Sequence, residues 1–417
     1  MTRIVSSHQW VFAAFISLFF PFVLTSCNGD SDESPDGIIE IDVLQAFETQ
    51  RNLNASELID EVEIIPLESK VDSYFRYSNC YSIGNKYILV VDSEGAELVL
   101  FDRKGKFIRA IGKKGKGPGE FGIPKEATMD SDEEFIYVYD TGINKLMKFS
   151  IKGLFINEIS TKEIAPSRFA QGIEFINKNQ FVLVSKRPYQ AMDGYASLTV
   201  FDKDLNLVRS ILQRANDENL QNNFIPHAMF KVNPDRMTFW EPLEDTLYTI
   251  SPLGDVTPTH VIGFSKGGPD RNLIPGPFPF INSENKILSI TEIGKYMNIW
   301  GMKNQEWFTA FYNHETKEIF EVTGGNSCIL PVEGNPFGLN NDLYGVGYIL
   351  LGTYAPKIDR YILLLDLNTI SNYYDLDCSA DKSVKYPKLR DQLLEFEQDP
   401  EGSSQKIMVL MKSKSEL

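Results

Sequence analysis

Residues Gly112–Pro124 read GKKGKGPGEFGIP, with five glycines and three lysines in thirteen positions. Glycine and lysine mixed in this way can build a phosphate-cradling loop, where backbone N–H groups and an ammonium hold the anion. A Walker loop requires GxxxxGK[ST]. Gly112 and Gly117 have that spacing, but Pro118 stands where the lysine must be. Gly117–Gly122 also matches GxGxxG, which needs a following helix to present its N-terminus to a pyrophosphate. Ile123-Pro124 follows instead, and Glu120 puts negative charge beside the phosphates. The stretch is expected to be a bend between structural units. Glycines permit its turns, and Pro118 stiffens one of them.

Other residue types could hold a metal. His227, His260 and His314 are enough for a three-imidazole zinc site if they converge. Asn79, Asn341 and Asp342, with Glu174, could give calcium its oxygens. There is no GxSxG, and no Cys/His pair stands out. Beyond Cys27 the cysteines are Cys80, Cys328 and Cys378, without CxxC spacing. An odd number leaves at least one thiol unpaired, and a Cys328–Cys378 bridge stays open.

The elements that must position these residues come from a repeat. Residues 90–111 (VVDSEGAELVLFDRKGKFIRAI) align without gaps on 138–159 (VYDTGINKLMKFSIKGLFINEI). Asp92 matches Asp140, Phe101 matches Phe149, Gly105 matches Gly153 and Ile111 matches Ile159, each 48 residues apart. A third copy begins at Leu198, a weaker fourth includes LYTISPLGDV, and a looser fifth begins at Trp307. The units alternate apolar and polar residues and turn at glycines, which marks short, half-buried strands. Repeats of about 40–50 residues with four strands indicate a propeller. Innermost strands near 77, 125, 169, 227, 278 and 340 make it an all-β, six-bladed β-propeller of four-stranded antiparallel blades. Residues 58–69 and 405–413 are expected to close the ring, and 386–398 to form a short inserted amphipathic helix.

In such a ring His227 lies at an inner-strand entrance, His260 on an outer strand and His314 in a turn between outer strands. The three are not expected to converge. Arg76, Lys125, Arg168, His227 and Asp342 take comparable inner-entrance positions on five blades. Mixed charge around a channel mouth suits a polar ligand, and solvated loops are the plain alternative. Trp240, Trp300, Trp307 and Tyr189 could stack on sugars or fill the core between blades.

The net charge of −16 repels nucleic acid and anionic lipid heads, so nucleic acid is excluded as a partner. The N-terminus is a targeting segment. Arg3 precedes an apolar run, Trp10–Val23, which falls short of the about 20 residues a membrane span needs. Leu24-Thr25-Ser26-Cys27 resembles the bacterial lipobox, which implies a signal peptide over 1–26 and a lipid on Cys27. Residues 27–37 form an acidic tether, and the propeller fills 38–417. Gly115–Ile156 resembles an NHL repeat in its G-x-G-P-G-x-F-x-x-P opening, its Asp140 and its Asn144. With LIDEVEIIPLES and GLNNDLYG, the chain resembles the six-bladed propeller lipoproteins of Bacteroidetes. The resemblance implies an outer-membrane lipoprotein on the cell surface or periplasmic face, and it carries no settled activity. The expected role is a binding or interaction module for a glycan, a peptide or an envelope protein. The alternative is a metal-assisted lyase or hydrolase at the central channel. No cofactor is expected, with calcium the remaining candidate.

Overall fold

The computed structural model describes residues 37–69, 75, 80–162, 170–185, 195–214, 229–232, 236–241, 245–264, 285–323, 339–345, 353–366, 383–398 and 406–414. It is a six-bladed β-propeller of four-stranded antiparallel blades. Blades one to three are sequential meanders. The first runs Tyr81–Ile83, Tyr87–Asp92, Glu97–Asp102 and Phe107–Ile111, from the axis outward. The inner strands of blades two to five are Pro124–Met129, Ala170–Phe175, Met229–Val232 and Lys286–Ile293.

The middle strands of blade one are buried on both faces, where simple alternation had been expected. Tyr87–Asp92 and Glu97–Asp102 are buried along almost their whole length. The reason is that each blade is covered on both faces. Leu89 and Val91 join the core between blades one and two, while Ile88 and Val90 join the core between blades six and one. Six such inter-blade cores follow one another around the ring. The outer strand Phe107–Ile111 is covered less, with Arg109 and Ala110 exposed and Ile111 buried.

The turn between third and outer strands is built alike in four blades. Gly105, Gly153 and Gly254 take left-handed φ values of 81°, 84° and 93°. Their N–H groups donate to Asp102, Ser150 and Ser251. In blade three the same place is held by Leu205 at φ 69°, with its N–H on Asp202. There the Asp202 carboxylate accepts from Asp204 and Asn206 N–H, just as Asp102 accepts from Lys104 and Lys106 N–H in the glycine turn of blade one.

Blade six closes the ring. Its order outward is Thr353–Ala355, Arg360–Asp366, Lys406–Ser413 and Ile59–Leu67, so three strands come from late in the chain and the outermost from early. Residues 339–340, where an inner strand was expected, pair instead in parallel with Leu53–Asn54. The helix Pro387–Gln398 is inserted before the last strand and buries Leu393 in the core of blades five and six.

The segment before that outer strand carries no repeat signal in the sequence, yet it forms a belt. Ile39–Asp42 pairs in parallel with the outer strand of blade four, Val256–Gly263. A 3-10 turn, Val43–Glu48, begins under the Asp42 carboxylate, which accepts from Leu44 N–H at 3.0 Å. Gln50–Arg51 then pairs in parallel with the outer strand of blade five, Ile319–Val322. The short helix Ala55–Leu58 follows, with a capping box between Asn54 and Glu57. This belt gives blades four and five a fifth strand and buries Ile41, Val43, Ala46 and Leu53.

Candidate functional site

The glycine stretch joins the outer strand of blade one to the inner strand of blade two. Gly112 and Gly119 have φ values of 76° and 70°, which few side chains tolerate. A Cβ on Gly112 would lie 2.2 Å from the Phe121 ring, which is fully buried against Phe149. The N–H groups that could cradle an anion already have one. Glu120 Oε2 accepts from Lys116 and Gly117 at 3.0 and 2.9 Å, and Lys113 lies 3.2 Å from its other oxygen. These donors and the Lys113 charge lower the Glu120 pKa, so the carboxylate stays charged in the cradle. Asp140 accepts from Gly122, Ile123 and Ile143 N–H at 2.7, 3.0 and 3.1 Å. The bend is thus a self-filled nest.

A different set of residues meets at the axis. Ser82, Thr128 and Glu174 sit on the inner strands of blades one, two and three, each 46 residues from the next. The repeat brings them side by side. Ser82 Oγ is 3.5 Å from Thr128 Oγ1, which donates to Glu174 Oε1 at 3.1 Å. Lys357, in the turn after the inner strand of blade six, reaches across to them. Its ammonium lies 3.4 Å from Thr128 Oγ1, 3.5 Å from Ser82 Oγ and 3.7 Å from Glu174 Oε1, and it donates to the Met129 carbonyl. The side chains of Lys357 and Glu174 keep 12% and 15% exposure, so solvent reaches both.

The other half of the ring adds a second polar group. Lys231 of blade four donates to the Tyr361 hydroxyl at 3.2 Å and lies 4.6 Å from the Tyr354 ring centre. The Tyr361 hydroxyl donates to the Glu292 carbonyl of blade five. Thr238 donates to the Glu292 carboxylate at 2.9 Å. Side chains from all six blades therefore take part in these contacts. Nearer the other end of the inner strands, burial raises the Glu126 carboxyl to about 7, and Cys80 and Lys125 offset part of that shift. Burial, with Glu126 next, raises the Cys80 thiol, which is the opposite of thiolate activation.

Several residues singled out by sequence lie elsewhere. Lys125 is half-buried on the inner strand of blade two. The Asp342 carboxylate accepts from the Ser56 N–H and hydroxyl, so it anchors the belt helix. Asn341 is buried and accepts from Tyr344 N–H. Arg76, Asn79, Arg168, Tyr189, His227, Cys27, Cys328 and Cys378 lie outside the described residues. Trp240 is fully buried core, while Trp300 and Trp307 stack on each other at 4.7 Å. Two of the three histidines, His260 and His314, do meet, with ring centres 5.5 Å apart, while the third, His227, lies outside the described residues. An outer strand of blade four and a turn of blade five are distant in sequence, but they meet where the two blades pack. Among the described residues no group of three or more His, Cys, Asp or Glu is placed to hold a metal. No helix among them is long and apolar enough to cross a membrane.

Ser82 and Thr128 were missed because a lone serine and threonine carry no motif, and Glu174 was singled out only as a calcium oxygen donor, not as a partner of these hydroxyls. Their signal was the 46-residue spacing on successive inner strands. Lys357 left none, since its position depends on a turn in another blade.

The fold is shared with a Bacteroides fragilis protein described as exported. The two are 18% identical with a TM-score of 0.59, over 91% of this chain and 100% of that one. A Bacteroides vulgatus member of the DUF4221 family aligns at 14% identity and TM-score 0.44, over 63% of this chain and 85% of that one. A virginiamycin B lyase from Staphylococcus aureus aligns at 14% identity and TM-score 0.38, over 63% of this chain and 73% of that one. No curated protein matches the chain. Residues 38–401, the belt and nearly the whole ring, match the family described as a domain of unknown function, DUF4934, and the chain belongs to that family.

Proposed function

We propose that this protein is an exported, lipid-anchored binding module whose ligand sits at the axial end lined by Ser82, Thr128, Glu174 and Lys357. The observation that carries the reading is the meeting of one ammonium, one carboxylate and two hydroxyls, drawn from four blades, with the ammonium within 3.7 Å of the other three. Such a group offers donors and acceptors in alternation. That suits a ligand rich in hydroxyl or carboxylate groups, and glycan chemistry fits it best among the glycan, peptide and protein classes. Leu24–Cys27 supports the anchor, and the acidic segment behind it supports a tether that holds the ring off the membrane. Cell-surface or periplasmic display at the outer membrane follows from that anchor.

The test is a thermal-shift screen of the chain from Asn28 onward against glycans and peptides, repeated with Lys357→Met and Glu174→Gln. A ligand at 100 times its dissociation constant adds about 2.7 kcal/mol, a rise of roughly a few degrees for a ring of this size. Both variants are expected to abolish the rise. A ligand whose shift survives both substitutions places binding elsewhere and overturns the reading.

A further inference from the structure

His260 and His314 come from different blades and meet at the outer rim between blades four and five, 5.5 Å apart and steeply inclined at 71°. His260 is only 8% exposed. Its tautomer follows from its neighbour. The Thr259 hydroxyl donates its hydrogen to the Leu247 carbonyl at 3.2 Å. That same oxygen lies 3.1 Å from His260 Nδ1, so while its hydrogen is on the Leu247 carbonyl it accepts from an Nδ1–H. Nε2 is left with a bare lone pair, buried and without a hydrogen-bond partner among the described residues. A buried acceptor left unmatched is costly and calls for an explanation. An imidazole held by an Nδ1–H bond while Nε2 is presented is how proteins prepare a histidine for a metal ion.

The spacing fits that use. Metal–nitrogen bonds of about 2.0–2.1 Å put each ring centre about 3.2 Å from the ion, so two ligands at a tetrahedral angle have centres about 5.2 Å apart. Burial, with the His314 and Lys317 charges next, lowers the His260 pKa to about 4, which keeps the ring in its neutral, ligating form. We propose that His260 and His314 form a two-imidazole site for a divalent late transition ion, zinc or copper, with water completing the coordination. Imidazole suits these ions, whereas calcium and magnesium need oxygen ligands. The belt strand runs directly over the site, with Ile39 in register beside His260. A bound ion would therefore join blades four and five beneath the belt.

The experiment uses the full chain purified without a histidine tag and titrated with zinc by calorimetry and with copper by electron paramagnetic resonance. One equivalent is expected to bind, with nitrogen couplings from two imidazoles in the copper spectrum and a thermal midpoint that rises with zinc and falls back with chelator. His314→Gln, a half-buried turn position that leaves the core intact, is expected to weaken binding at least about tenfold, and Thr259→Val to weaken it about tenfold by releasing the His260 ring. His260→Gln is expected to remove it. Binding of equal strength in His260→Gln and His314→Gln overturns the proposal, as does no binding to the parent chain at millimolar zinc and copper.

Discussion

Blades one and two hold themselves together, while blades four and five are completed by a distant piece of chain. In the first pair every strand is local, and the core between the blades is filled by Leu89, Leu98, Phe121, Ile136 and Phe149. Glu133 of blade two reaches back to accept from Asn85, Lys86 and Tyr87 N–H of blade one, so even the blade-to-blade polar contacts link equivalent turns. In the second pair the core includes Ile41, Val43 and Ala46, and the sheet edges are closed by strands from residues 39–51. The difference teaches that one architecture can be secured in two ways. Local repeats need only their own hairpins. Drifted repeats borrow burial and edge hydrogen bonds from outside.

Removing the belt should break the contrast most sharply. Deletion of residues 38–52 is expected to lower the thermal midpoint by on the order of 10 °C, since it strips three buried apolar side chains, Ile41, Val43 and Ala46, and two edge ladders. Hydrogen exchange should then lose protection at Val256–Gly263 and Ile319–Val322 but keep it at Glu97–Asp102 and Lys145–Ser150. Uniform loss around the ring would show that the blades do not differ in self-sufficiency.

Phe121→Ala tests the other side. It empties the joint of blades one and two and should cost about 3–5 kcal/mol in denaturant unfolding. The loss of protection is expected to centre on those two blades and leave the belt ladder intact.

The smallest effects are in pH. His260 falls from 6.5 to about 4 in the folded state, so folding favours its neutral form. Its contribution is complete above 6.5 and is lost as pH drops toward 4, by about 1.4 kcal/mol per pH unit at most. Glu126 rises from 4.5 to about 7, so folding favours its protonated form. Its contribution is complete below 4.5 and is lost as pH climbs toward 7. Blades four and five are therefore sensitive to acid, and blades one and two to rising pH. His260→Gln and Glu126→Gln should each flatten one arm of the stability profile and leave the other.

The same contrast explains what could be read in advance. Asp140, Gly105 and Gly153 announced their turns because a left-handed φ and a capping carboxylate restrict residue type. Leu205 hid an identical turn, since it takes the same left-handed φ without the glycine that marks it elsewhere. The belt strands IEID and QR were too short to register, and they form only against edges that the ring provides. His260 and His314 were placed on correct elements, but their meeting depended on how two blades pack.

By itself, the sequence determined the repeat, the six-bladed ring and the character of the glycine bend, because hydrophobic spacing and turn chemistry act within one hairpin. Only the tertiary structure decided which polar groups face one another. Ser82, Thr128, Glu174 and Lys357 span four blades, and His260 and His314 span two. Closing the ring sets those distances, and no local stretch of chain records them.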